Sequence, residues 1–293
     1  MINKTLTIKA YGKLNLFLDI TGKRSDGYHL LQTVMQSVSV FDTLTFILSD
    51  GEGIELRCGA DDFPLDKRNL IWKAAEAFYK YIGIKQPCKI TAETKKNIPS
   101  MAGMAGGSAD CAAALIALNE LSDAGLSLSE LCSIGVKLGA DVPFTLTGGT
   151  VLCEGIGEQL TIIPNVPKMY FAVVKPQISI STPEAYRIYD SSPHINHKKY
   201  PDFEAALKSS DLYGISENIY NALEIAANFD EIKKAKNKML EFGALNAMMT
   251  GSGSAVFGIF NKRTDAEKCI QQMSDYSFSE VLTPVQKGWE IVK

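Results

Sequence analysis

The sequence has no C-x-x-C pair. Its six cysteines, Cys58, Cys88, Cys111, Cys132, Cys153 and Cys269, stand far apart, which argues against both a zinc ribbon and a thioredoxin-like redox motif. Most sit among apolar residues, as reduced core thiols do. Histidine is scarce at three residues. His194 and His197 share a polar stretch with no third ligand beside them, so they read as solvated side chains and not as a metal site. Nor is there an excess of charge of one sign, because 30 Lys and Arg face 33 Asp and Glu for a net charge of -3. Such a chain exerts no general pull on nucleic acid or an anionic membrane. Any anion must be held by a local device such as a helix N-terminus. No apolar run approaches the roughly 20 residues that cross a bilayer, and the polar start MINKTLTIKAYGK has no signal core. There is no internal repeat and no low-complexity tract. The expectation is a soluble cytoplasmic protein with no nucleic-acid or membrane partner.

What is present is enough apolar material for a real core, 46% of 293 residues. Alternation and β-branched residues predict strands over residues 5–10, 14–20, 32–40 and 43–48, with a turn at Asp26-Gly27. The period then changes: Leu70, Ala74, Phe78 and Ile82 recur every four residues, predicting a helix over 69–82. A strand over 88–94 leads to a loop and a helix over 108–121. A further helix over 129–138 ends at Gly139 as its C′ residue. Strands are predicted over 150–153, 169–174, 247–250, 255–260 and 279–283, and helices over 183–189, 230–242 and 265–273. Residues 191–201 read as loop. Strands cluster instead of alternating strictly with helices, which favours an α+β fold.

The most informative segment is Pro99-Ser100-Met101-Ala102-Gly103-Met104-Ala105-Gly106-Gly107-Ser108-Ala109. Small residues let backbone N–H groups approach a ligand, and the following helix offers unpaired donors with a partial positive charge. That suits a triphosphate; a tight strand-to-helix turn fits equally well. Ser108 can cap the helix, and its hydroxyl could reach a phosphate or Mg²⁺. The segment is neither a Walker A loop, since no Lys-Ser or Lys-Thr follows, nor a dinucleotide fingerprint. A second loop, Thr250-Gly251-Ser252-Gly253-Ser254, reads as a pocket lining or as a plain hairpin. In Lys13-Leu14-Asn15-Leu16-Phe17-Leu18 the leucines share one strand face and Lys13 and Asn15 the other. Asp141 precedes Val142-Pro143, and Pro143 is expected to push Val142 into an extended conformation. A carboxylate beside an attacking hydroxyl can take its proton, and an ammonium beside it favours the ionised form.

Together the motifs resemble the GHMP kinases. IPSMAGMAGGSAD is similar to their second signature and TGSGSAVFG to their third. KAYGKLNLFLDITGKRSDGYHLLQTVMQSV resembles the start of the members that act on 4-diphosphocytidyl-2-C-methyl-D-erythritol, and LGADVPF completes the set. The resemblance spans about residues 8–260. It implies a two-domain α+β fold with the active site in the cleft between domains, here divided into 1–160, binding ATP, and 161–293. It implies Lys13 and Asp141 as the catalytic pair, residues 99–109 on the ATP phosphates, and Asn69 with Lys95 or Lys96 near the adenosine. It implies Mg²⁺ with Ser108 as a ligand. Asn15 is expected to place the reacting end of the substrate, with Gly251 and Ser252 beside it. His29 is expected to hydrogen-bond a cytosine that stacks on Tyr28, with Tyr186 on its other side. The loop departs from the family pattern at Met104, Ala105 and Ala109, and alanine restricts positive φ at 105. A kinase of homoserine, mevalonate or a sugar is a second reading, disfavoured by Gly27-Tyr28-His29. A non-catalytic nucleotide sensor is a third, disfavoured by Lys13 with Asp141. The expected assembly is a monomer or weak dimer.

Overall fold

The computed structural model describes residues 3–192 and 196–292. It opens on a long antiparallel hairpin of β1 (Asn3–Lys23) and β2 (His29–Ser49). The separate strands expected in each arm merge. Register shifts between Tyr11 and Lys13, Asn15 and Phe17, and Ile20 and Gly22 absorb the irregular alternation without ending the pairing. β3 (Ile54–Cys58), α1 (Leu70–Ile82), β4 (Lys89–Lys95), α2 (Gly106–Leu121), α3 (Leu128–Gly135), α4 (Val142–Thr147), β5 (Thr150–Gly155) and β6 (Gln159–Ile162) follow. Then come β7 (Tyr170–Lys175), α5 (Thr182–Ser191), α6 (Tyr200–Lys208), α7 (Leu212–Asn218), β8 (Tyr220–Asn221) and α8 (Ala222–Ala227). The chain finishes with α9 (Asp230–Glu241), β9 (Asn246–Met249), β10 (Val256–Phe260), α10 (Arg263–Gln271), β11 (Phe278–Leu282) and β12 (Trp289–Val292).

The first sheet runs β12-β1-β2-β4-β3, with β5 and β6 continuing from β2 and β8 lying parallel to β1. The second is a four-stranded antiparallel sheet, β11-β7-β10-β9. β12 pairs with β1 from Thr7↔Val292 to Ala10↔Trp289, so the C-terminal strand closes the edge of the first sheet. One apolar cluster joins both sheets and their helices. The helix α2 is buried on nearly every side, and its alanines let neighbours come close. Its first residues, Gly106, Gly107 and Ser108, stay at least partly exposed.

Several local expectations change. α2 begins at Gly106, with Ala105 as its N-cap, so Ser108 is its third residue and caps nothing. α3 ends at Gly135, and Gly139 belongs to the turn beyond it. It starts on a capping box between Ser127 and Glu130. Val142 is helical, not extended: it opens α4, and Pro143 falls in the first turn, where its missing N–H costs nothing. The short elements β3, α4, β6, α6, α7, β8, α8 and β12 show too little periodicity to be read from sequence. Of residues 191–201, Ser191 ends α5 and Tyr200 opens α6; His194 lies outside the described residues.

Phe17 on β1 packs against the rings of Tyr200, Phe203 and Tyr220, fastening the first sheet to the later helices. It is fully buried. Phe17→Ala is expected to lower the unfolding free energy by about 3–5 kcal/mol in denaturant titration. A loss below about 1 kcal/mol would contradict that packing role.

Candidate active site

The two glycine loops meet. Backbone hydrogen bonds run from Ser254 N to Met101 O and from Ala255 N to Ala102 O, both 3.2 Å, and Lys13 N donates to Met104 O at 3.1 Å. A Cβ on Gly103, which has φ +72°, would stand 2.1 Å from Thr250 O. One on Gly251 would stand 3.1 Å from Lys13 Nζ. Only glycine lets strand β1, the 99–108 loop and the 250–254 loop approach this closely. The second loop does connect an antiparallel pair, β9 to β10, and it also forms one wall of a cleft of about 1080 Å³.

Residues 99–108 line that cleft, together with Lys13, Asn15, Tyr28, His29, Lys96, Asp141, Tyr186, Gly251 and Ser252. Ala105 adopts the left-handed conformation at φ 59°, and Met101 does so at φ 50°. The loop therefore keeps its shape despite both side chains. The first turn of α2 then presents the unpaired N–H groups that every helix start leaves. Two predicted contacts fall elsewhere. Ala109 is buried in the helix behind the loop. Asn69 caps α1, its Oδ1 accepting from Ile71 N at 2.9 Å while Nδ2 donates to Pro64 O at 2.7 Å. Neither lines the cleft.

Lys13 and Asp141, 128 positions apart in sequence, come within 3.8 Å (Nζ to Oδ2). Lys13 is almost fully buried while the Asp141 side chain is 34% exposed, so the pair opens to the cleft from the carboxylate side. Burial pulls the Lys13 ammonium below its usual proton affinity, and Asp141 opposes that pull. Asn15 holds the lysine in place. Its Oδ1 accepts from Lys13 Nζ at 2.5 Å and from the Thr250 hydroxyl at 3.3 Å, and its Nδ2 donates to Thr33 Oγ1 at 2.9 Å. One amide N–H remains for a ligand.

A second buried ion cluster backs the phosphate-type loop. Lys96 Nζ lies between Asp42 and Asp110, at 2.7 Å from Asp110 Oδ2. Asp42 also accepts from the backbone N–H of Asn97 and Ile98. Burial works against the Lys96 charge, but Asp110 and Asp42 together hold its proton affinity above the ordinary value. Asp110 Oδ1 is buried without a partner. Burial, with Asp42 nearby, pushes the Asp110 carboxyl up to about 7 against the pull of Lys96.

At the far end of the cleft, His29 stacks on Tyr186 with ring centroids 4.7 Å apart and 18° between planes. Tyr28 is largely exposed on the hairpin turn. Burial, then the Asp141 charge, raises the proton affinity of the Tyr186 phenol, so the aromatic end and the ion pair belong to one electrostatic site. His197, read as solvated, in fact bonds Asp19 at 2.6 Å. Among the described residues no group of three or more His, Cys, Asp or Glu could hold a metal. The sequence reading missed Thr33, Asp42 and Asp110, and it named Thr250 only as part of a loop, not as a partner of Asn15. It also missed Asp190, which had a signal: it follows Tyr186 by one helical turn.

Comparison with known proteins gives the family. The profile of the GHMP kinases N terminal domain matches residues 69–149, and that of the GHMP kinases C terminal matches residues 203–277. The chain is 40% identical over 265 residues to the 4-diphosphocytidyl-2-C-methyl-D-erythritol kinase of Clostridium novyi, covering 90% of this chain and 94% of that protein. The chain belongs to the 4-diphosphocytidyl-2-C-methyl-D-erythritol kinase family. Its likeness to the enzyme of that name from Clostridium botulinum is 41% over 272 residues, covering 92% and 96%. A crystal structure of 4-(cytidine 5'-diphospho)-2C-methyl-D-erythritol kinase superposes with a TM-score of 0.80 at 28% identity, covering 95% of this chain and 98% of that one. Homoserine kinase from Cytophaga hutchinsonii shares the fold, with a TM-score of 0.77 at 19% identity and coverage of 98% and 97%. As a member of this GHMP family the chain is a kinase with ATP as phosphate donor.

The Asp110 carboxyl gives a stability test. Burial raises this carboxyl from the ordinary 3.8 to about 7, so between these limits the folded chain holds a proton that the unfolded chain has lost. Stability from this group therefore falls as pH rises from about 4 to 7 and is level above that. Asp110→Asn is expected to remove the fall, gaining on the order of 1–4 kcal/mol over wild type between pH 4 and 8. A wild-type-minus-variant difference that stays constant across that range would contradict the assignment.

Proposed function

We propose that this chain transfers the γ-phosphate of ATP to the 2-hydroxyl of 4-diphosphocytidyl-2-C-methyl-D-erythritol, a phosphorylation in the non-mevalonate route to isoprenoid precursors. The observation that carries the reading is the Lys13–Asp141 pair, 3.8 Å apart, opening into the same cleft as the unpaired amides at the start of α2. In this reading Asp141 accepts the proton of the attacking hydroxyl. Lys13 adds positive charge beside that carboxylate and the transferring group. Asn15 fixes Lys13 and offers its last N–H to the same alcohol. Residues 99–108 and the first turn of α2 receive the triphosphate. The cytosine lies at His29 and Tyr186, with Tyr28 folding onto it.

The donor set fits a Mg²⁺ carried mainly by the triphosphate, because the described residues provide no all-protein cage, and the Ser108 hydroxyl is the residue that would complete its shell. When bound, that cation neutralises phosphoryl charge. Lys96 borders the nucleotide side of the cleft, but its ammonium is committed to Asp42 and Asp110. We place the division between nucleotide and substrate halves near residue 160, with β12 crossing back to β1. A cytoplasmic monomer or weak dimer without nucleic-acid partners completes the reading. No helix among the described residues is long and apolar enough to cross a membrane.

Coupled assays of ADP release with the cytidine substrate, homoserine and mevalonate test the assignment. Turnover is expected with the first alone, and turnover only with another would overturn it. Asp141→Asn is expected to lower kcat by roughly 10²–10⁴ while ATP still binds; a near-normal kcat would remove Asp141 from the chemistry.

A further inference from the structure

At the lip of the cleft one carboxylate bridges two elements. Lys23 ends β1 and His29 opens β2, and they are register partners across the hairpin. Asp190, in the last turn of α5, reaches both: Oδ2 lies 2.6 Å from Lys23 Nζ and Oδ1 2.7 Å from His29 Nε2. Lys23 first, and His29 second, hold the Asp190 carboxyl below its ordinary value, so it is an acceptor only. The proton in the His29 bond must then sit on Nε2. A neutral imidazole protonated there carries a bare lone pair on Nδ1, and no described residue bonds that nitrogen. Tyr186 covers one face of the ring and Tyr189 meets it edge-on at 6.0 Å. The ring is thus fixed in orientation.

We propose that Asp190 is a positioning residue that locks His29 as a hydrogen-bond acceptor, so that the cleft selects an aminopyrimidine over a ketopyrimidine. This rests on the cytidine reading above. The exocyclic amine of cytosine donates to Nδ1. Uracil puts a carbonyl at the same place, where two lone pairs face each other and the acceptor goes unsatisfied. Loss of one such hydrogen bond in a partly enclosed site corresponds to roughly 10- to 100-fold in selection. An asparagine at 190 can turn its amide N–H toward Nε2 and so let the ring proton move to Nδ1, which removes most of the preference.

The test compares wild type, Asp190→Asn and Asp190→Glu with the cytidine substrate and its uridine counterpart, and reads the ¹⁵N shifts of His29 in ligand-free enzyme. Wild type is expected to favour cytidine by roughly 10- to 100-fold in kcat/KM, with His29 protonated at Nε2. Asp190→Asn should raise KM for the cytidine substrate by a similar factor and bring the two bases within a few-fold. Its kcat and its KM for ATP should stay within about two-fold, and Asp190→Glu should recover most of the selection. A His29 protonated at Nδ1 in wild type, or unchanged selection in Asp190→Asn, would overturn the role. The NMR result stands apart from turnover: a wild type that ignores the cytidine substrate while His29 carries its proton on Nε2 would count against the proposed function and leave the tautomer lock intact.

Discussion

At Gly103 there is room for a hydrogen and nothing larger. The carbonyl of Thr250 lies where a Cβ would be, and across the same contact Gly251 sits against the Lys13 ammonium. This backbone-to-backbone approach ties three remote stretches of chain into one wall. The 99–108 loop gains its fixed path from it, since its carbonyls accept from Ser254, Ala255 and Lys13. The start of α2 is aimed by that loop. Lys13 is held by Asn15, which is anchored through Thr33 and Thr250. Asn221 in turn donates to Met249 O and Gly251 O, holding the second loop from behind.

The electrostatics around this wall are costly in stability terms and make sense as chemistry. Two lysines lie in low-dielectric surroundings, and each is matched differently. Lys13 faces one partly exposed carboxylate, a pair whose open side can accept an alcohol. Lys96 faces two buried carboxylates and leaves one oxygen unpaired. Burying charge in this way is rarely stabilising against a well-packed apolar alternative, and departures from local consistency gather at functional sites. The Asp190 bridge is a milder version at the rim, where one carboxylate organises a lysine and a histidine on neighbouring strands.

Much of this was legible in the sequence, and the limits follow from range. The four-residue spacing from Leu70 to Ile82 gave α1 closely, because one buried face dictates it. The alternation that put Lys13 and Asn15 on one face also held, and their side chains bond each other. Pro143 misled: the rule disfavouring helix before proline gives way when both residues open a helix. Asn69, which the family resemblance puts near the adenosine, caps α1 here. Ala105 kept the left-handed turn that its Cβ disfavours, because the loop is fixed on both sides by other segments. A contact such as Lys96 with Asp42 leaves no local trace, for each partner sits where many other residues would satisfy the pattern.

The most direct measurement is a crystal structure of the enzyme with a non-hydrolysable ATP analogue and the cytidine substrate. The acceptor hydroxyl should lie within about 3 Å of Asp141, with Lys13 beside it and the terminal phosphate seated on the start of α2. A hydroxyl turned away from both side chains, or a triphosphate bound off that helix, would contradict the arrangement.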